Sequence, residues 1–263
     1  MADMEWYHYL LATGGGLLAG AINTLAGNGS VITITILTEL LGLPGNVANA
    51  TNRIGIVAHS VAGMGAYYRN GMLRLRRSRM MIALTLLGSV AGIYAAMQIS
   101  NEQFLGFFRF LMVFMLFVIL IRPERWLQES DLSRGFPLWI SVPLFLALGF
   151  YGGFIQMGMG IFFLAVMVLA ARYSLAESNV VKITVSALYT LLAVLVFQYN
   201  GLINWPAGLS IAVGQALGGY FTAHFASRHP RASVWAYRVL VVVVVLSILQ
   251  LFGVPVLMSR WLE

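Results

Sequence analysis

Two short stretches, Gly27-Asn28-Gly29 followed by Ser30 and Gly158-Met159-Gly160, place glycine beside polar residues inside otherwise apolar runs. Glycine lets the chain turn and lets another group approach its amides, and a helix starting after such a break presents N–H groups with no intrahelical partner. Those groups carry the positive end of the helix dipole. The chemistry they suit is non-covalent capture of an anion. Donors stand close by: Asn23, Thr24, Asn28 and Ser30 at the first break, with Ser30 also placed to cap the helix, and Gln156 at the second.

A polar stripe follows each break. At the helical rotation, Asn49, Asn52, Arg53, Ile56 and His59 share an arc of roughly 120°, with Ser60 and Gly63 on it. Asn179, Lys182, Ser186, Tyr189 and Thr190 share a corresponding arc of about 100°. A charge inside a bilayer is costly unless paired or hydrated, so Arg53 and Lys182 are expected to avoid lipid. The Arg53 fork suits an oxyanion and Lys182 supplies a compact positive charge. With the two helix starts they predict a site for a carboxylate, sulfonate or sulfite. Both also lie one to two turns from their segment ends, where reaching headgroups or pairing with Glu39 or Glu177 is the plainer role. His59 lies deeper and is the candidate for proton coupling, against a role as a hydrogen-bonded packing residue. Gly16, Gly20, Gly149 and Gly153 read as small-xxx-small helix contacts. His224 is taken as structural, and Arg109 as a helix or oligomer contact, which leaves homo-oligomerisation open.

The elements that must hold these residues are membrane helices. Of 263 residues 60% are hydrophobic and 10% charged, and the mean hydropathy is +0.84, so the lipid bilayer is the expected surroundings. Apolar segments are expected at about 6–26, 29–42, 46–68, 80–98 and 103–121, then at 137–156, 160–171, 174–199, 203–226 and 234–258. The polar stretch "RPERWLQESDLSRGFP" separates them, giving a first transmembrane repeat 1–121, a cytoplasmic linker 122–136 and a second repeat 137–263. Segments 29–42 and 160–171 would extend only about 21 and 18 Å against a core of roughly 30 Å, so each is read as a half-helix, discontinuous or re-entrant.

Charge then chooses the topology. Arg69, Arg74, Arg76, Arg77 and Arg79, Arg122, Arg125 and Arg134, Arg172, and Arg228 with Arg231 all fall in loops on one side, which is expected to be cytoplasmic. Both termini then lie on the non-cytoplasmic side of the cytoplasmic (inner) membrane, and the halves run in opposite senses. Asn49 and Asn179, Asn52 and Lys182, His59 and Tyr189, Ser60 and Thr190, and Gly71 and Gly201 are each separated by 130 residues. The expected fold is an all-α integral membrane protein with an inverted-topology 5+5 helical repeat and two short discontinuous or re-entrant helices.

Other classes have less support. The net charge of +7 sits in short loops rather than on a solvent-exposed domain, so no nucleic acid is expected as a partner. The absence of Cys removes disulfides, thiolate catalysis and Cys-ligated metals. No cofactor or metal is expected. The N-terminus "MADMEWYHYLL" lacks a basic signal region and reads as the entry to the first segment. An intramembrane enzyme should show clustered acids, a His–Asp metal set or a Ser–His pair, and none stands out. A scaffold without a transported ligand would not need paired helix breaks. A passive anion channel is the nearest alternative to a transporter. No nucleotide-binding signature is present, so a transporter would draw on an ion gradient.

The run "GGGLLAGAINTLAGNGSVITITILTELLGLPGNVANATNR" resembles the first motif of the sulfite exporter TauE/SafE family, A-G-x-I-N-T-x-A-G-G-G-S-x-I-T. Ala19, Gly20, Ile22, Asn23, Thr24, Ala26, Gly27, Gly29, Ser30, Ile32 and Thr33 carry the likeness, and Asn28 stands where the family usually has Gly. "GFYGGFIQMGMG" is similar to the family's Gly-rich form in the second half. The resemblance implies transport of a small anion, with sulfite and organosulfonates as the family's substrates; together with the paired breaks, the leading expectation is a secondary transporter working by alternating access.

Overall fold

The computed structural model describes residues 5–69, 71, 75–120, 137–171, 173–226, 238, 241–242, 244–246 and 248–249. The linker 122–136, Arg74, Arg172, Arg228, Arg231, the side chain of His224 and most of the segment expected at 234–258 lie outside the described residues. Those that are described form helices: α1 Trp6–Ala26, α2 Ser30–Thr35, α3 Gly45–Arg69, α4 Arg79–Gln98, α5 Asn101–Leu120, α6 Leu138–Phe154, α7 Met159–Ala165, α8 Leu175–Tyr199 and α9 Trp205–Ala226. With the π turns after α2 and α7 counted into their segments, each boundary falls within two residues of its sequence expectation. α2 continues into a wider π turn over Ile36–Leu40 and α7 into one over Val166–Ala170.

This is a multi-pass integral membrane protein. Arg79–Gln98, Asn101–Val118 and Glu177–Tyr199 are long and apolar enough to cross a bilayer. Large apolar side chains such as Leu87, Phe110, Phe117, Leu195 and Leu209 point outward, where a soluble protein would place charge.

One order of elements occurs twice. α1, a break, α2 with its π turn and the 25-residue α3 are followed later by α6, a break, α7 with its π turn and the 25-residue α8. Packing follows the same order. α1 lies along α9, and α4 lies along α6, in the two most extensive helix contacts among the described elements. Glycine makes both possible. A Cβ on Gly214 or Gly218 would run into the Thr13 and Leu17 carbonyl oxygens, and one on Gly88 or Gly92 into those of Leu146 and Phe150. Gly16 and Gly20 face α9, and Gly149 and Gly153 face α4, in the close-contact role expected of them.

The loops gather at two ends. At one, the Tyr173 hydroxyl donates to the Arg77 carbonyl at 3.0 Å and the Arg77 guanidinium lies 4.7 Å from the Tyr173 ring centroid, so the α3–α4 loop meets the start of α8. Arg69, Arg76, Arg77 and Arg79 are exposed there. At the other end the Gly45 N–H donates to Asn101, and the Asn204 N–H to the Thr51 hydroxyl at 3.0 Å. The second end carries no described Arg or Lys in its loops.

Candidate functional site

The site begins where the two breaks meet. α1 ends on Gly27, whose φ of 71° is left-handed, and Gly158 before α7 has φ 70°. The Asn23 carboxamide accepts the Gly29 N–H at 3.2 Å, fixing the turn into α2. A Cβ on Gly160 would stand 2.9 Å from the Gly27 carbonyl oxygen and 3.4 Å from its Cα, so the broken backbones touch. Gly160 allows that approach by lacking a side chain, whereas at Gly27 a Cβ would stand 3.7 Å from Gly160 and it is the left-handed backbone that calls for glycine. Ser30 is the first residue of α2 rather than its cap: Gly29 holds the capping position, with no side-chain cap bond. Gly160 likewise lies inside α7, because Met159 already begins the helix.

Above this junction is a cavity of about 390 Å³, within the range of roughly 300–1,000 Å³ usual for small-molecule sites. Asn23, Thr24, Gly27 and Ser30 line it from the first break, and Gln156, Met159 and Gly160 from the second. The C-terminal half of α3 contributes Ile56, His59, Ser60, Gly63 and Tyr67. The N-terminal half of α8 contributes Asn179, Lys182, Ile183, Ser186 and Tyr189, and α9 adds Ala216, Gly219 and Tyr220. These half-helices all belong to the end that carries the exposed Arg residues, and Ala62 and Tyr220 at the rim are exposed. The cavity therefore opens toward the basic end.

Its lining is cationic and hydroxylic. Among the described residues no carboxylate lines it. The Lys182 ammonium donates to the Asn179 side-chain oxygen at 2.9 Å rather than pairing with an acid. Glu177 is engaged elsewhere, in a capping box with Ser174 at the start of α8. A half-buried ammonium with hydroxyl and amide neighbours attracts an oxyanion and rejects cations.

Arg53 is placed differently. It is wholly buried, and its guanidinium reaches α6 instead of the cavity, donating to the Gly152 and Gly153 carbonyls at 2.7 and 2.9 Å, to Gln156 Oε1, and at 3.5 Å to Asn49 Oδ1. Those carbonyls end a helix and lack intrahelical partners, and a cation also suits that end of the dipole. Asn49 adds a bond from its amide to the Phe154 carbonyl at 2.9 Å. Gln156 is held from both sides, since its amide nitrogen is 3.2 Å from the Thr190 hydroxyl. Its backbone is left-handed, φ 61°, a conformation that costs a non-glycine residue about 1–3 kcal/mol and persists where surroundings enforce it. Asn52 accepts the Thr33 hydroxyl proton, tying α2 to α3.

Of the residues singled out from sequence, Asn23, Thr24, Gly27, Ser30, His59, Gln156, Gly160, Asn179 and Lys182 line the cavity. Asn28, Gly29, Asn49, Asn52, Arg53 and Gly158 stand behind its wall. Asn28 is buried with neither amide atom hydrogen-bonded, and its Oδ1 would lie 3.5 Å from a Cβ on Gly158. Tyr67, Gly219 and Tyr220 line the cavity without having been singled out. The signal for Tyr67 was its spacing, because Ile56, His59, Gly63 and Tyr67 recur on one helical stripe. Nothing in the small-residue run "GQALGGYF" separated Tyr220 from an ordinary lipid-facing aromatic residue.

Comparison with known proteins supplies a family. The model of the family described as Sulfite exporter TauE/SafE matches residues 12–251. A probable membrane transporter protein of Escherichia coli K12, YfcA, is 27% identical over 205 residues, covering 77% of this chain and 74% of its own. The probable membrane transporter protein ORF9 of a Sinorhizobium species is 24% identical over 226 residues, 86% of each chain. One from Xylella fastidiosa 9a5c is 21% identical over 234 residues, covering 88% and 89%. No solved structure matches the chain.

Proposed function

The chain belongs to the sulfite exporter TauE/SafE family, a family of membrane transporters rather than enzymes, and we propose that it is a secondary transporter moving a small sulfur-containing or related organic anion, sulfite or a sulfonate, by alternating access. The observation that carries this reading is the cavity itself: Lys182 and His59 face it, no described carboxylate does, and two helix starts meet at its floor. A sulfur oxyanion would lie against Lys182 and the first-turn amides around Ser30 and Gly160, with Asn23, Gln156 and Asn179 as further donors. Arg53 acts from behind, setting Gln156. His59 is the residue through which a proton would accompany the anion.

The doubled order of elements supports an inverted-topology repeat. α3 and α8 correspond residue for residue at a separation of 130, and the glycines of α4 and α9 at 126, while the carbonyls they meet on α1 and α6 correspond at 133. With the basic end on the cytoplasmic side of the inner membrane, the termini face outward and the cavity opens inward. The test is counterflow of labelled sulfite, sulfoacetate and taurine in proteoliposomes. Saturable counterflow that Lys182→Met reduces by tenfold or more supports the reading, tenfold being about 1.4 kcal/mol. Flux that never saturates and shows no counterflow identifies a passive pore instead.

A further inference from the structure

The cavity has a counterpart that is shut. Transposed by the separation of α3 and α8, its liners Asn179, Lys182 and Ile183 become Asn49, Asn52 and Arg53, the buried polar face of α3. Its rim residues Gly63 and Tyr67 become Ala193 and Phe197, and Gly219 becomes Ile93 by the separation of α4 and α9. Ala193, Phe197 and Ile93 do not line this cavity. With Ala50 and Ala96 they form one buried apolar cluster at the opposite end, each at most 4% exposed. Gly63, Tyr67 and Gly219, which border the cavity at the basic end, are thus each matched by a residue packed shut at the other.

We propose that this cluster is the second mouth of the transport path, shut in this structure, and that Arg53 is the cation that meets the anion when it opens. The proposal rests on the alternating-access reading above. Here the guanidinium latches α3 to the end of α6 through the Gly152 and Gly153 carbonyls. Opening the mouth pulls α3 from α6, and the freed guanidinium takes the oxyanion in place of the two carbonyls. Lys182 then becomes enclosed as Arg53 is now.

The chain has no native Cys, so single cysteines are unique reporters. Ala62→Cys marks the open rim, and Ala50→Cys, Ala193→Cys and Ala96→Cys mark the closed cluster. A membrane-impermeant maleimide is applied to each face of vesicles of known orientation. Ala62→Cys should react from the basic face and the three cluster cysteines only from the opposite face. Arg53→Gln should raise cluster labelling by about tenfold through loss of the latch. Cluster labelling from the basic face, or none within many turnover times in any of the three variants, overturns the second mouth. Labelling needs no substrate. Alternating labelling without sulfite counterflow therefore removes the substrate reading alone, whereas counterflow with a permanently closed cluster removes the second mouth alone. For Arg53 itself, Arg53→Lys should raise the half-saturation concentration for sulfite offered at the opposite face by about tenfold and at the basic face, where it acts only through Gln156, by several-fold less. An equal rise at both faces indicates a purely structural role.

Discussion

Arg53→Met separates what the guanidinium does for the fold from what its volume does. Met retains an unbranched apolar body beside Phe197, whose ring centroid lies 5.9 Å from the guanidinium carbon. It leaves the Gly152 and Gly153 carbonyls buried without the donors now at 2.7 and 2.9 Å. A buried carbonyl left unsatisfied costs about 1–3 kcal/mol, so the pair sums to about 2–6 kcal/mol. Removing a buried charge returns part of that, because the guanidinium no longer has to be held out of water. The net expectation is a loss of about 3 kcal/mol in unfolding free energy. Arg53→Lys should lose about half as much, since an ammonium is a point donor without the planar fork that spans two carbonyls. Reversible unfolding in mixed detergent micelles, followed by circular dichroism, measures both. A Met variant within about 0.5 kcal/mol of the parent, or full stability with Lys, refutes the latch, since that is the range of substitutions away from such features.

Other substitutions probe the cavity and the seams. Lys182→Met should raise the half-saturation concentration for sulfite in counterflow by at least about tenfold, with Lys182→Arg in between. His59→Gln should remove the dependence of net uptake on an imposed pH gradient while leaving counterflow within about twofold. Gly218→Ala drives a methyl into the Leu17 carbonyl and should destabilise by about 1–3 kcal/mol, whereas Gly65→Ala meets nothing within 4 Å and should be neutral or gain up to about 1 kcal/mol; thermal unfolding of both variants reads the difference. Gly29→Ala, whose methyl would press on the Ala19 carbonyl, should abolish uptake because the turn from α1 into α2 cannot close.

The fold was legible where it depends on where apolar runs stop. Glycine breaks, polar loops and segment lengths are one-dimensional signals, and the helix boundaries follow them. The polar faces of α3 and α8 were legible too, since periodicity alone defines them. What a face turns toward was not. Asn52, Arg53 and His59 share one arc, yet Arg53 bonds to α6, Asn52 to α2, and His59 faces the cavity. An arc of roughly 120° spans several neighbours, and the choice among them is made by packing. The left-handed backbone at Gln156 was equally hidden. Nothing local favours it, and it is imposed by Arg53 and Thr190 from helices far along the chain. The π turns that extend α2 and α7 left no mark in composition either.

The glycine seams have a bearing on how the chain is made. α1 belongs to the first half and α9 to the second, and α4 and α6 are divided the same way, so each tightly sealed pair draws one member from either side of residues 122–136. Neither half holds the partner that covers its own glycine surface. During synthesis the bare stripe on α1 must wait for 178 further residues before α9 begins, roughly 10–35 s at ordinary translation speeds. Cut at residues 122–136, the two pieces should be degraded when expressed singly and should rescue each other when produced together.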